Sequence, residues 1–138
     1  MLFEFPGFYD FVGIQLSIIM NTPLVSICIP TFNGEKFLSN ALLSASAQVG
    51  DDIEIIISDD CSSDRSLEIA LKHAEKDPRV RVLHAKYNRG LVGNFNYCIA
   101  EARGEWIKFL LQDDVLSSSY MARVSPYLGG ICPFIVTR

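Results

Sequence analysis

A mostly parallel α/β sheet with helices on both faces is the fold this sequence predicts, and three observations predict it. From residue 23 onward, short apolar runs alternate with helical stripes in the order βαβαβαβ. That order calls for right-handed crossovers within one parallel sheet. The second run is nearly unbroken, with Ile53, Ile55, Ile56 and Ile57 around Glu54, as suits a strand covered on both sides. Two of the runs also end in aspartate pairs, Asp59-Asp60 and Asp113-Asp114, at the sheet edge where open α/β domains bind ligands.

Each element has its own signal. Residues 24–29 read as the first strand, closed by Pro30. Phe37, Leu38, Ala41, Leu42 and Ala45 then recur at helical spacing. Gly50-Asp51-Asp52 breaks that helix, and residues 53–58 form the second strand. Ser62 or Ser63 can cap a second helix with the stripe Leu67, Ala70, Leu71 and Ala74, and Asp77-Pro78 ends it. Residues 80–83 give a third strand flanked by Arg79 and Arg81. After the polar loop 86–90, a third helix over 91–102 places Leu91, Phe95, Cys98, Ile99 and Ala102 on one face, with Gly104 as its stop. Residues 106–111 form the fourth strand. Beyond Met121 the pattern fades, and 131–136 is the remaining candidate strand. The expected division is an N-terminal extension at 1–22, one domain at 23–121 and an irregular tail at 122–138.

Bulk properties narrow the function. A chain of 138 residues with 49% hydrophobic and 20% charged content is one ordinary globular domain. The net charge of −4 without a basic block argues against a nucleic-acid partner held through phosphates. Cysteines stand at 28, 61, 98 and 132 with no CxxC pair, so neither zinc nor a disulfide framework is expected. Cys28 and Cys98 read as small core residues, and Cys61 as partly exposed. Residues 8–20 are apolar but interrupted by Asp10, too short for the roughly 20 residues of a membrane span. The expected location is cytoplasmic, at most peripheral to a membrane.

The aspartate pairs carry the chemistry. Adjacent carboxylates repel, and removing them from water is costly unless a cation or hydrogen-bond donors face them. Two such pairs at one sheet edge point to a polar ligand and a divalent metal. Around them stand Val25-Ser26-Ile27-Cys28-Ile29-Pro30-Thr31-Phe32-Asn33-Gly34, then Ile57-Ser58-Asp59-Asp60-Cys61-Ser62-Ser63-Asp64. Asn88-Arg89-Gly90-Leu91 precedes the third helix, and Ala102-Arg103-Gly104-Glu105-Trp106-Ile107 leads into the second pair.

In this order and spacing the four motifs resemble the nucleotide-binding N-terminal half of a family-2 glycosyltransferase of the GT-A fold, over residues 23–121. The resemblance implies transfer of a sugar from a nucleoside-diphosphate donor, UDP-linked, to an acceptor hydroxyl with inversion. It implies that Pro30, Thr31, Phe32 and Asn33 bind the donor, with Asp60 accepting a hydrogen bond from the base. Asp113 would face the ribose or the metal, and Asp114 would coordinate Mg²⁺ or Mn²⁺. Phe32 stands where such enzymes commonly carry tyrosine, which removes a hydroxyl and keeps a stacking face. The general base is expected beyond Arg138, so this truncated half would bind donor without itself completing the reaction.

Plainer readings stand beside these. Either aspartate pair could cap a helix. Thr31 and Asn33 could only shape a turn. Asp59 reads as structural, Arg89 as a solvated loop charge, Asn94 and Asn96 as solvated helix residues, and Trp106 as packing. His73 and His84 carry no assigned role. The rival functions are a non-catalytic nucleotide-sugar-binding module and a nucleotidyltransferase. The missing Gly-rich basic loop after the first strand counts against the latter.

Overall fold

The computed structural model describes residues 22–50 and 52–128; the expected extension, except Thr22, and the candidate strand at 131–136 lie outside them. Four parallel strands, β1 (Val25–Thr31), β2 (Ile53–Asp59), β3 (Val80–His84) and β4 (Trp106–Phe109), form one sheet in the order β3-β2-β1-β4. The helices are α1 (Leu38–Ser46), α2 (Ser66–Ala74), α3 (Gly90–Glu101) and the short α4 (Tyr120–Val124), followed by a 3₁₀ turn at Ser125–Tyr127.

The isoleucine run explains where the core sits. Successive strand side chains point to opposite faces. Val25, Ile27 and Ile29 of β1 and Ile53, Ile55 and Ile57 of β2 meet Leu38, Ala41, Leu42 and Ala45 of α1 and Ala70 of α2. Cys28 and Ile56 face the other way, against Cys98 of α3 with Leu83, Ala102 and Phe109 around them. Every residue of β1 and β2 is buried. Each buried isoleucine contributes roughly 1.5–3 kcal/mol of apolar transfer energy, so these two central strands anchor the sheet.

The first strand runs through Pro30 to Thr31 instead of stopping at the proline. Cys28 C=O accepts from Leu110 N–H at 2.9 Å, whereas Thr31 C=O accepts from Asp60 N–H at 2.9 Å. Alternate residues of a parallel strand face the same neighbour, so Pro30 faces the β4 side at a level where β4 has already ended. Its missing N–H costs no ladder bond.

The stripes of α2 and α3 hold in part: Ala70 and Ala74 in α2, and Cys98 and Ala102 in α3, face inward as periodicity places them. In α2 the residues turned inward are Ser66, Ile69, Ala70 and Ala74, while Leu71 is 50% exposed. Neither Ser62 nor Ser63 caps this helix. Both belong to a loop whose polar groups bond the segment after β1, so the helix starts only at Ser66. In α3 the buried residues are Asn94 and Cys98, with Leu91 and Ile99 turned to solvent. Asn94 is therefore not solvated: its Oδ1 accepts from Ser58 Oγ at 2.6 Å, and its Nδ2 donates to Ser58 C=O at 2.9 Å and Thr31 C=O at 3.4 Å. A fully partnered amide can be buried where a leucine was expected. Asn96 is exposed as expected.

Gly104 serves a close approach, not a helix stop. The helix ends at Ala102 in extended conformation. Gly104 N–H donates to Ser26 Oγ at 2.8 Å, and an added Cβ would lie 2.5 Å from Ser26 N. The same corner buries Glu54, which accepts from Ser26 Oγ, Arg103 N–H and the Arg81 guanidinium.

Beyond β4, which is shorter than the expected 106–111, Gln48 pins the following segment to α1. Its Nε2 donates to Ser117 C=O at 2.9 Å and its Oε1 accepts from Met121 N–H at 3.0 Å. Cys28, Cys61 and Cys98 are free thiols, the first and last buried. No helix among the described residues is long and apolar enough to cross a membrane.

Candidate functional site: a cleft at the strand switch point

Chain order and sheet order diverge between β1 and β4. The chain leaves β1 for β2 and β3 on one side, then returns to β4 on the other. Ligands of open α/β sheets bind at the carboxyl ends of strands flanking such a reversal. β1 and β4 pair only from Val25↔Trp106 to Cys28↔Phe109, and past that point they separate around a cleft of about 480 Å³. Its volume falls within the range of small-molecule sites.

Four segments line it. The end of β1 supplies Pro30, Thr31 and Phe32, and the end of β2 supplies Asp60. The start of α3 contributes Asn88, Gly90, Leu91, Asn94 and Phe95, and the segment after β4 contributes Leu111, Gln112 and Asp113. Thus the cleft brings together Pro30, Thr31, Phe32, Asp60 and Asp113 of the expected donor set. Phe32 is 47% exposed, which leaves a ring face available to a planar ligand.

Asn33 is the exception. It does not line the cleft, and its backbone is left-handed at φ 49°. Its Oδ1 accepts from Ser63 N–H at 2.9 Å and Ser63 Oγ at 3.3 Å. The side chain is spent on loop structure, as the turn reading of Asn33 holds.

That bond is one of a series tying the segment after β1 to the segment after β2. Asn33 N–H donates to Ser62 Oγ at 2.9 Å, Gly34 N–H to Ser66 Oγ at 2.8 Å and Glu35 N–H to Asp64 Oδ2 at 3.0 Å. In return Arg65 N–H donates to Glu35 Oε2 at 3.0 Å. Ser62 and Ser63, the candidate caps of the second helix, belong with Asp64, Arg65 and Ser66 to one half of a loop-to-loop lattice.

The first aspartate pair divides its work. Asp59 is fully buried, and its Oδ2 accepts from His84 Nδ1 at 3.0 Å and Ser62 N–H at 3.2 Å. His84, given no role by sequence, is the side chain whose ring nitrogen faces this carboxylate. Asp60 is 1% exposed on the cleft floor. Its Oδ1 accepts from Arg89 N–H at 2.8 Å and its Oδ2 from Gly90 N–H at 3.0 Å. A carboxylate at the start of α3 also meets the positive end of the helix dipole. Asp60 therefore caps a helix, though α3 rather than α2, and each oxygen keeps a lone pair for a further donor.

The second pair lies in the open. Asp113 and Asp114 are both exposed, and neither carboxylate accepts a hydrogen bond among the described residues. Asp113 reaches the cleft and Asp114 does not line it. No group of three or more potential metal ligands exists among the described residues. Two unspent carboxylates of hard oxygen character fit a hard divalent cation that takes its other ligands from water and ligand phosphate.

Arg89 is neither a free surface charge nor a cleft residue. Its guanidinium sits 3.9 Å from the centre of the Tyr97 ring and 5.8 Å from that of Tyr87. Asn88, Gly90 and Leu91 of the loop motif before α3, with Asn94, Phe95, Leu111 and Gln112, line the cleft without a site role from the sequence. The signal for Gln112 was its place directly before the second aspartate pair. Asn94 gave none, because its burial depends on a partner in another strand.

The protein-family model described as Glycosyl transferase family 2 matches residues 26–129. The chain is 43% identical over 103 residues to an uncharacterised glycosyltransferase, EpsJ, of Bacillus subtilis, covering 75% of this chain and 30% of that protein. It is 37% identical over 101 residues to the GalNAc(5)-diNAcBac-PP-undecaprenol beta-1,3-glucosyltransferase of Campylobacter jejuni, covering 72% and 33%. Among solved structures, S. aureus TarS 1-349 in complex with UDP-GlcNAc superposes with a TM-score of 0.69 at 27% identity, covering 75% of this chain and 30% of that one. The chain spans less than half the length of these relatives.

Proposed function

The chain belongs to glycosyltransferase family 2, and from that premise we propose that its cleft binds the nucleoside-diphosphate part of a UDP-linked sugar for transfer to an acceptor hydroxyl with inversion. One observation carries this reading: a single cleft joins an exposed aromatic face at Phe32, a buried acceptor at Asp60 and an unspent carboxylate at Asp113. A uracil stacked on Phe32 presents an imide N–H, and Asp60 is the acceptor placed for it. Pro30 and Thr31 form the wall beside the ribose. TarS, at 27% identity, has been solved with UDP-GlcNAc, which supports uridine as the nucleoside.

Asp113 and Asp114 would hold Mg²⁺ or Mn²⁺ beside the diphosphate. Such a cation supplies charge neutralisation for the leaving diphosphate. The chain's own residues fix the nucleotide and orient its phosphates toward Asp113. Displacement at the anomeric carbon with inversion needs one base on the acceptor hydroxyl. Asp60 and Asp113 are the carboxylates lining the cleft, and both are assigned to the donor, so neither is given that role.

The name of the Campylobacter jejuni relative carries an undecaprenol diphosphate substrate, which supports a protein working peripherally at a membrane surface. Calorimetric titration with UDP and Mn²⁺ tests the donor reading, and absence of heat at millimolar UDP opposes it. Turnover of labelled UDP-sugars separates the enzyme from a non-catalytic nucleotide-sugar-binding module: binding without transfer or hydrolysis favours the module.

A further inference from the structure

The two walls of the cleft are held very differently. On the β2 side, the segment after β1 is fixed by seven hydrogen bonds between Asn33–Glu35 and Ser62–Ser66. On the β4 side the ladder stops at Leu110 N–H to Cys28 C=O. Past it, one side chain spans the gap. Gln112 Oε1 accepts from Phe32 N–H at 2.9 Å, and Gln112 Nε2 donates to Phe32 C=O at 3.2 Å.

This double contact has the form of a missing strand residue. Phe32, like Cys28 and Pro30, faces the β4 side, so its N–H and C=O point where a longer β4 would have paired with them. The Gln112 amide supplies the same acceptor and donor from the far side of the cleft. Gly34 makes room for it, because a Cβ there would lie 2.4 Å from Gln112 Oε1. Gln112 directly precedes Asp113, so the clasp sets how far the aromatic face stands from the cation-binding carboxylate.

Resting on the nucleotide-sugar reading above, we propose that Gln112 is a positioning residue: its amide fixes the register between the half-site for the nucleoside, at Phe32 and Asp60, and the half-site for the diphosphate and cation, at Asp113. A ligand that bridges both halves depends on the clasp. A ligand that occupies the nucleoside half alone does not, because the lattice to Ser62–Ser66 keeps Phe32 in place without it.

The test is titration of the full chain with two probes, uridine alone and UDP with Mn²⁺, for the wild type, Gln112→Ala and Gly34→Ala. The second variant leaves the amide intact and displaces it. Both variants are expected to retain uridine affinity within about twofold and to lose roughly tenfold for UDP with Mn²⁺, the scale of one or two neutral hydrogen bonds. The Phe32 amide should also lose hydrogen-exchange protection in both. Equal losses for the two probes mean a merely structural residue and overturn the proposal, as does unchanged affinity for UDP with Mn²⁺ in Gln112→Ala. A wild type that binds neither probe overturns the nucleotide-sugar reading itself, and the clasp with it.

Discussion

Asp60 and Gly90, thirty residues apart, meet through a 3.0 Å hydrogen bond from the glycine N–H to a carboxylate oxygen on the cleft floor. The same carboxylate takes Arg89 N–H at 2.8 Å, so one buried acid both starts α3 and lines the cleft. Asp60→Ala leaves Arg89 N–H without its acceptor and Gly90 N–H with Asn88 Oδ1 alone, and should lower stability by roughly 1–3 kcal/mol. It should also weaken UDP binding with or without Mn²⁺. Denaturant titration and calorimetry together check this. A stability loss with unchanged nucleotide affinity would leave Asp60 only its capping role.

Asp113 and Asp114 predict the opposite pattern. Both are exposed with no intramolecular acceptor duty among the described residues, so Asp113→Asn and Asp114→Asn should shift the melting temperature by no more than a degree or two, given the ±0.5 kcal/mol scale of surface substitutions. Each should weaken Mn²⁺-dependent UDP binding, with Asp113→Asn the stronger because that residue lines the cleft. Wild-type affinity in both variants removes the cation assignment.

Asp77 governs the acid limb of stability. The Arg79 guanidinium beside it, together with Ser46 Oγ, lowers its carboxyl from the usual 3.8 to about 2. A depressed folded-state value stabilises the fold fully above the unfolded value, near pH 4, and that contribution disappears as pH falls toward 2. Asp77→Asn should therefore lower stability at neutral pH and flatten its dependence between pH 4 and 2. Urea denaturation across that window measures it, and parallel acid limbs for the two proteins would contradict the assignment.

Gly104→Ala should damage the fold away from the cleft. Its Cβ would meet the backbone at Ser26, at 2.5 Å, a contact that requires main-chain movement. A cost of about 1–3 kcal/mol is expected from such overpacking, with UDP affinity unchanged in the folded fraction. Loss of affinity equal to that of the cleft variants would show that the two ends of β1 are coupled.

Periodicity and strand composition made the architecture readable, because the isoleucines of β2 and the small-residue stripe of α1 are buried by their own type. The inward faces of α2 and α3 were readable only in part from the same signal, which found Ala70, Ala74, Cys98 and Ala102. Ser66 and Asn94 occupy inward positions through hydrogen bonds to residues 32 and 36 positions away in sequence, and no local pattern announces such partners. For the same reason the sequence led to Asp60 and Asp113 as cleft residues but not to the Gln112 contact with Phe32, where the partner is an ordinary backbone unit. Asn33 supported two readings, because a residue suited to a left-handed turn and one suited to a ligand share the same amide.

The lattice between Asn33–Glu35 and Ser62–Ser66 has a thermodynamic consequence for recognition. Freezing a mobile loop against a ligand subtracts from affinity, and here that ordering is completed when the chain folds. On the nucleotide-sugar proposal, a nucleotide entering the cleft would meet a wall already tied to the β2 side. The entropic opposition to capture is thereby confined to the ligand's own freedom and to the segment that follows β4.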